Sequence, residues 1–215
     1  MLGKEQLLDL AKKALDVKGE RNFHQSVELI ITLRDIDLKK QPLNINEVVP
    51  LPFGPMNKPS ICVIAGGDLA FRAKQIGVDR VITPDELDKI ATNKKEAKKI
   101  AKNFDFFLAE AELMPKIGKI LGPYLGPRGK MPTPLPPNAP IESIVERFKR
   151  SIRVRSKGQL AISCKIGDEG LTHEKIADNA MAVISTVERK LPMGMKNIRS
   201  LIVKTTMGQP VKLIV

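Results

Sequence analysis

The chain has 215 residues, enough to bury a full core in one large domain or two small ones, and its 42% apolar content argues against wholesale disorder. Lys and Arg total 36 against 24 Asp and Glu, a net charge of +12 that favours polyanionic partners, nucleic acid first. No apolar run approaches the ~20 residues of a membrane span, and Met1-Leu2-Gly3-Lys4-Glu5 lacks the apolar core of a secretory signal, so a cytoplasmic protein without a membrane partner is expected.

In chain order, Leu7, Leu8, Leu10, Ala11, Ala14 and Leu15 recur at helical spacing, which predicts a helix over 4–17 stopped by Gly19. Val27, Leu29, Ile31 and Leu33 then alternate with more polar positions, the period of a half-exposed strand. Val48-Val49-Pro50-Leu51-Pro52-Phe53 is proline-broken, which suits an edge strand. From Lys58 the pattern changes. Ile61-Cys62-Val63-Ile64-Ala65 and Phe106-Phe107-Leu108-Ala109 are fully apolar, Val81-Ile82 lies between them, and helices are predicted over 69–76, 84–90, 94–101, 114–121 and 141–149. Continuous apolar strands alternating with helices indicate a parallel sheet covered on both faces.

Alternation returns at Ile152 and Val154 and again at Leu160, Ile162 and Cys164. A long amphipathic helix over 176–191 and strands over 201–206 and 211–215 close the chain. Neither end carries enough elements to bury a core alone. Residues 1–58 and 153–215 are therefore expected to form one α+β domain together, two helices on one antiparallel sheet. Residues 59–152 are expected to form an inserted three-layer α/β (Rossmann-like) domain.

Cys62 and Cys164 are far apart in apolar runs, which reads as buried free thiols rather than a disulfide. His24 and His173 are the only histidines, and no Cys or His spacing resembles a metal site. Neither a metal nor a cofactor is expected.

The segment from Ile120 to Pro134 reads Ile-Leu-Gly-Pro-Tyr-Leu-Gly-Pro-Arg-Gly-Lys-Met-Pro-Thr-Pro. Pro123, Pro127, Pro132 and Pro134 lack an N–H and fix φ, which excludes a helix interior, while Gly122, Gly126 and Gly129 permit positive φ. Apolar Ile120, Leu121, Leu125 and Met131 among Arg128 and Lys130 point to a shaped, basic loop rather than a linker. The wording resembles the Gly-Pro-Arg-Gly-x-Met-Pro signature of the large-subunit ribosomal proteins of the L-one type. Gly122-Pro123-Tyr124-Leu125 stand as an extra turn before Gly126-Pro127-Arg128-Gly129, similar to the archaeal and eukaryotic branch. The resemblance covers essentially the whole chain and implies the nested domains and a place at the mobile stalk beside the exit tRNA.

Thr205-Thr206-Met207-Gly208 end a strand before Gln209-Pro210. Thr hydroxyls can engage ribose 2′-OH groups, Met207 offers a flexible apolar contact, and Gly208 lets a backbone approach closely. A plain strand end entering a turn would carry the same residues. The tetrad matches the family's Thr-Thr-Met-Gly signature, which implies contact with ribosomal RNA. Phe23 can stack on a base or ribose, or plug a helix–strand joint. Its segment, Asn22 to Ser26, resembles the family's Phe-x-[Glu/Gln]-[Thr/Ser]-Val-Glu, which implies that Phe23, Gln25 and Ser26 border the RNA surface. Gln25 and Ser26 stand where bacterial members carry Glu and Thr, so a charge-dependent role does not transfer.

Arg153, Arg155 and Lys157 alternate before Gly158 and point three basic heads to one face, suited to phosphate contact or to solvation on an exposed strand. Lys94, Lys95, Lys98, Lys99 and Lys102 form a helical run beside Glu96 that reads as a solvated helix face.

Enzymatic motifs are absent. Gly66-Gly67-Asp68 follows a strand and opens a helix, but no G-x-G-x-x-G is present, and Gly129-Lys130-Met131 lacks the Ser or Thr that would bind magnesium. Two histidines supply no His–carboxylate–nucleophile set. The resemblance implies a non-enzymatic ribosomal protein, monomeric when free, that binds large-subunit rRNA near the exit-site tRNA. It also implies binding to its own mRNA as a repressor. The alternative is a nucleotide-dependent enzyme using the α/β insert.

Overall fold

The computed structural model describes residues 3–38, 43–136 and 140–215; Met1 and Leu2, part of the opening segment considered above, fall outside them. The elements in chain order begin with helix α1 (Lys4–Asp16), strands β1 (Ser26–Leu33), β2 (Asn44–Pro50) and β3 (Ile61–Ile64), and helix α2 (Gly67–Gln75). Strand β4 (Arg80–Ile82), helices α3 (Pro84–Thr92) and α4 (Lys94–Asn103), strand β5 (Phe106–Glu110) and helix α5 (Met114–Ile120) follow. The single turn α6 (Gly122–Leu125), strand β6 (Thr133–Leu135) and helix α7 (Ile141–Lys149) complete the middle of the chain. The last elements are β7 (Ser151–Lys157), β8 (Ala161–Asp168), α8 (His173–Glu188), β9 (Ile198–Thr205) and β10 (Val211–Ile214). They divide into two compact units, one of both chain ends (Met1–Asn57 with Arg150–Val215) and one of the middle (Lys58–Lys149).

In the unit of the chain ends, strict alternation along β1 buries Val27, Leu29, Ile31 and Leu33. β1 is central in an antiparallel sheet of order β10-β9-β1-β8, so Leu29 lies opposite both Cys164 and Val203. Helix α1 buries Leu7, Leu10, Ala11 and Ala14, and α8 buries Ile176, Ala180, Val183 and Val187 in the same core. Each such Leu, Ile or Val stabilises the unit by roughly 1.5–3 kcal/mol relative to exposure. Asn179, fully buried on α8, spends its side chain on backbone groups. Its Oδ1 accepts from Phe53 N at 3.0 Å, and its Nδ2 donates to the Phe53 and Ile166 carbonyls, each at 2.8 Å.

The expectation of one antiparallel sheet here is corrected: β2 and β7 form a second, two-stranded sheet. The turn between β7 and β8 explains this. Gly158 has φ +63° and sends its N–H to Leu43 O at 3.1 Å, while Ser156 Oγ donates to Gln159 O at 3.0 Å. The hydrogen bonds of β7 are thereby directed to β2 rather than to β8. The strand expected up to Phe53 ends at Pro50, and the last helix begins at His173 rather than near 176.

The middle unit holds a wholly parallel sheet of order β4-β3-β5-β6. Its central strands β3 and β5 carry unbroken apolar runs because both faces are covered, while the edge strands β4 and β6 carry polar or exposed residues. Cys62, Ile64, Phe107 and Ala109 pack with Leu87 and Ile90 of α3, Ala97 and Ile100 of α4, and Ile117 of α5. On the other face α2 and α7 pack together, and the Phe106 ring meets that of Phe148 edge-on at 5.2 Å. Glu110 at the end of β5 accepts the Gly66 N–H through Oε2 at 3.0 Å, immediately before α2.

The segment from Ile120 to Pro134 departs from the expected loop. Gly122–Leu125 form a helical turn, with Leu125 N donating to Leu121 O at 2.9 Å and Gly126 N to Gly122 O at 2.8 Å. Pro123 fits because it occupies the first turn, where no N–H is needed. Gly129, at φ +68°, ends the turns, and Thr133–Leu135 form an edge strand that tolerates Pro134.

Candidate nucleic-acid interface

Antiparallel register brings three strand ends to one edge of the terminal unit. Ser26 pairs with Asp168 and Val27 with Thr205, so β1 starts where β8 and β9 finish. The C-terminal end of α1 arrives at the same place. A Cβ added to Gly208 would sit 3.1 Å from Lys18 Cα and 3.3 Å from Val17 O, so the turn after β9 lies almost on that helix end.

Gln25 fixes this meeting point and is fully buried. Its Nε2 donates to Lys18 O at 3.1 Å and Gly19 O at 3.2 Å, while its Oε1 accepts from Met207 N at 3.0 Å. All its polar capacity goes to the frame, so it positions the edge from beneath rather than facing outward.

Thr205 and Thr206 are likewise turned inward. Thr205 is fully buried, and its Oγ1 has no hydrogen-bond partner among the described residues. Thr206 accepts from Ser26 N at 3.1 Å through Oγ1, which also donates to Ser26 O at 3.3 Å, while Thr206 N donates to Ser26 O at 3.0 Å. The Thr206 hydroxyl thus ties β9 to the start of β1, while that of Thr205 meets no protein group among the described residues.

What the frame presents outward is apolar. Phe23 is 51% exposed, Met207 58% and Val17 41%. Around them, Lys18 Nζ lies 3.5 Å from Glu169 Oε2 and His24 Nδ1 lies 3.5 Å from Glu169 Oε1. Glu169 is itself anchored, its N–H donating to Gln25 O at 3.0 Å. Val17, Lys18, His24 and Glu169 were not singled out from sequence. Val17 has one visible signal, an apolar residue between Asp16 and Lys18 just before the helix-stopping Gly19.

The basic strand is only partly gathered here. Arg153, Arg155 and Lys157 share the face of β7 opposite buried Val154 and Ser156, across from Val48, Asn46 and Asn44. Arg153 Nη1 donates to Asn46 Oδ1 at 3.4 Å. Lys157 and Gly158 lie at the Ala161 end of β8, whereas Asp168 at its other end pairs with Ser26. The length of β8, roughly 20 Å, separates those two ends.

Among the described residues, no cluster of His, Cys, Asp or Glu is placed to hold a metal ion, and no helix is long and apolar enough to cross a membrane. Both cysteines are free and buried, and burial pushes each thiol up to about 12. The basic balance and the exposed apolar edge together suit a surface that meets a polyanion.

Comparison with known proteins agrees. Residues 10–209 match the Ribosomal protein L1p/L10e family, and the chain belongs to that family. It is 50% identical over 213 residues to the large ribosomal subunit protein uL1 of Cenarchaeum symbiosum, covering 99% of this chain and 97% of that one. The uL1 of Thermofilum pendens is 49% identical over 210 residues, covering 97% and 89%. That of Archaeoglobus fulgidus is 42% identical over the full length of both chains. These relatives are archaeal and are named as ribosomal proteins, none by an enzymatic activity.

Proposed function

We propose that the terminal unit binds large-subunit rRNA through the edge built on Gln25. On this reading Phe23 and Met207 are the exposed contacts, Ser26, Thr205, Thr206 and Gly208 shape the edge, and Arg153 and Arg155 meet flanking phosphates. The observation that carries this is the Gln25 clamp. A buried amide holding three backbone groups fixes the chain at Lys18, Gly19 and Met207 beside Phe23, so less backbone ordering entropy remains to be lost on binding. Apolar and aromatic groups of this kind can pack on bases or sugars, while Arg and Lys supply the sequence-independent attraction. Lys157 and Gly158, at the far end of β8, would extend the contact along the RNA backbone.

The finer placement follows the family. The proposed site is the mobile stalk beside the exit tRNA, in the cytoplasmic ribosome, with the free protein a monomer. The same edge would bind a matching stem-loop in its own mRNA and repress its translation. No observation favours the enzymatic alternative: the Gly66 amide, where an α/β fold would hold a phosphate, is already capped by the Glu110 carboxylate.

Met207→Ala is expected to weaken binding to a large-subunit rRNA fragment about tenfold at unchanged melting temperature, equivalent to a loss of about 1.4 kcal/mol. Gln25→Leu should lower both, since it leaves buried backbone groups unpaired. A Met207→Ala protein that melts earlier but binds equally well would place Met207 in the core and end this reading. Parallel loss of both RNAs in the same variants is the result expected if one edge serves rRNA and mRNA.

A further inference from the structure

Helix α4 lies in the middle unit, outside the interface above. Lys94, Lys95, Lys98, Lys99 and Lys102 are all exposed on it, and none has an ion pair or hydrogen bond among the described residues. The one acid of the helix, Glu96, is engaged elsewhere, with Oε1 3.2 Å from Arg80 Nη2. A solvated helix face usually interleaves acids with its lysines; this one leaves five cations uncompensated. Lys94, Lys98 and Lys102 follow at four-residue steps, about 6 Å apart along the axis, comparable to the step between successive backbone phosphates.

The flanks of α4 add a second observation. On one side a concavity of about 530 Å³ is lined by Lys95 and Lys99, by the Arg80–Glu96 ion pair, and by half-buried Phe104. On the other, a groove of about 300 Å³ sets Lys94 and Lys119 around half-buried Tyr124, the only tyrosine of the chain. Each flank therefore pairs cations with an aromatic ring. Cations track a backbone and rings stack bases of any identity, which is how single-stranded nucleic acid is held without sequence readout. An acidic peptide would use the lysines but not the rings.

We propose that α4 and its two flanking grooves form a second RNA-binding surface, one that takes a single-stranded segment without reading its sequence. The inference rests on the assignment of the chain to RNA but on different residues and a different unit. The test uses the full chain, a short oligouridylate as probe, and a salt titration. Exchanging the five α4 lysines for Gln, a good helix former, should weaken oligouridylate binding at least about tenfold and lower the salt slope by roughly 2. Tyr124→Leu should weaken it a few-fold and leave the slope unchanged.

Binding of the large-subunit rRNA fragment at high salt should be unchanged in the five-lysine variant and weakened about tenfold in Met207→Ala. Failure of the terminal edge would thus appear in the second variant alone. Unchanged oligouridylate affinity and slope in the five-lysine variant would overturn the proposal. So would polyglutamate of equal charge competing as well as the RNA, which would mark a docking face for acidic protein instead.

Discussion

Lys130 Nζ donates to the carbonyl oxygen of Phe104 at 2.6 Å. A lysine of the Gly/Pro-rich segment is thus turned back into its own unit, with only 19% of its side chain exposed, while Arg128 beside it faces solvent. Lys130→Met should therefore destabilise the middle unit by about 1.5–3 kcal/mol, the worth of a charge-assisted hydrogen bond. Arg128→Ala should change stability by no more than about 0.5 kcal/mol. Urea unfolding followed in the middle unit distinguishes them, and equal midpoints would show that Lys130 is not structural.

A Cβ on Gly208 would fall 2.2 Å from Thr205 Oγ1, and the neighbouring Lys18 backbone leaves little room to shift. Gly208→Ala should lower the melting temperature and rRNA affinity together. Thr205→Val has the opposite expectation. It keeps the shape and removes a buried hydroxyl with no partner among the described residues, so stability should hold or rise by about 1 kcal/mol. If Thr205→Val instead binds rRNA more weakly at unchanged stability, that hydroxyl reaches the RNA.

Cys62 and Cys164 should resist alkylation in the native protein at neutral pH and react once it is unfolded. The thiolate is the reactive form, and burial raises both thiols to about 12. The sign of the linkage follows. Above the ordinary thiol range, roughly 8.5, the unfolded chain loses protons that the native chain keeps, so stability falls as pH rises toward 12. Exchanging both cysteines for Ala should flatten that alkaline slope, read from denaturant midpoints across the range. An unaltered slope would assign the loss to other groups.

Removal of residues 58–149 should leave a folded terminal unit that still binds rRNA. The ends to be joined are close: a Cβ on Gly54 would lie 3.2 Å from Arg150 Cγ, and Leu51 N donates to Arg150 O at 3.0 Å. Cooperative melting and retained rRNA affinity are the expected outcomes. A shortened chain that folds yet binds no better than an unrelated basic protein would remove the site from this unit.

Much of the architecture was legible because burial writes itself into period. The strict alternation of Val27 to Leu33 and the unbroken run of Ile61 to Ile64 distinguished a half-exposed strand from one covered on both faces. Pairing was less legible. Nothing local in Arg153 to Lys157 says whether its partner is β8, three residues on, or β2, a hundred residues back; the Gly158 turn decides it in three dimensions.

The candidate edge divides in the same way. Residue types at Phe23, Gln25 and Thr205 to Gly208 marked the place, but not which side chains face out. Gln25 and Thr206 find partners 6 to 182 positions away, and no short motif encodes that. Val17 became visible only when its helix end met the turn at Gly208.

The pairing of Ser26 with Thr206 across 180 positions also sets an order of birth. On a growing chain β1 emerges long before its neighbours β8 and β9 exist, whereas every strand of the middle unit is made before either of them. The middle unit is therefore the first whose sheet is complete on the growing chain. With α7 packed on β3, its two ends are held near one another when β7 appears. Closing a loop of about a hundred residues is then replaced by closing a short one, a saving of about 2 kcal/mol in chain entropy. What looks like an interruption of one domain by another is, in time, a scaffold that delivers β7 to the waiting β2.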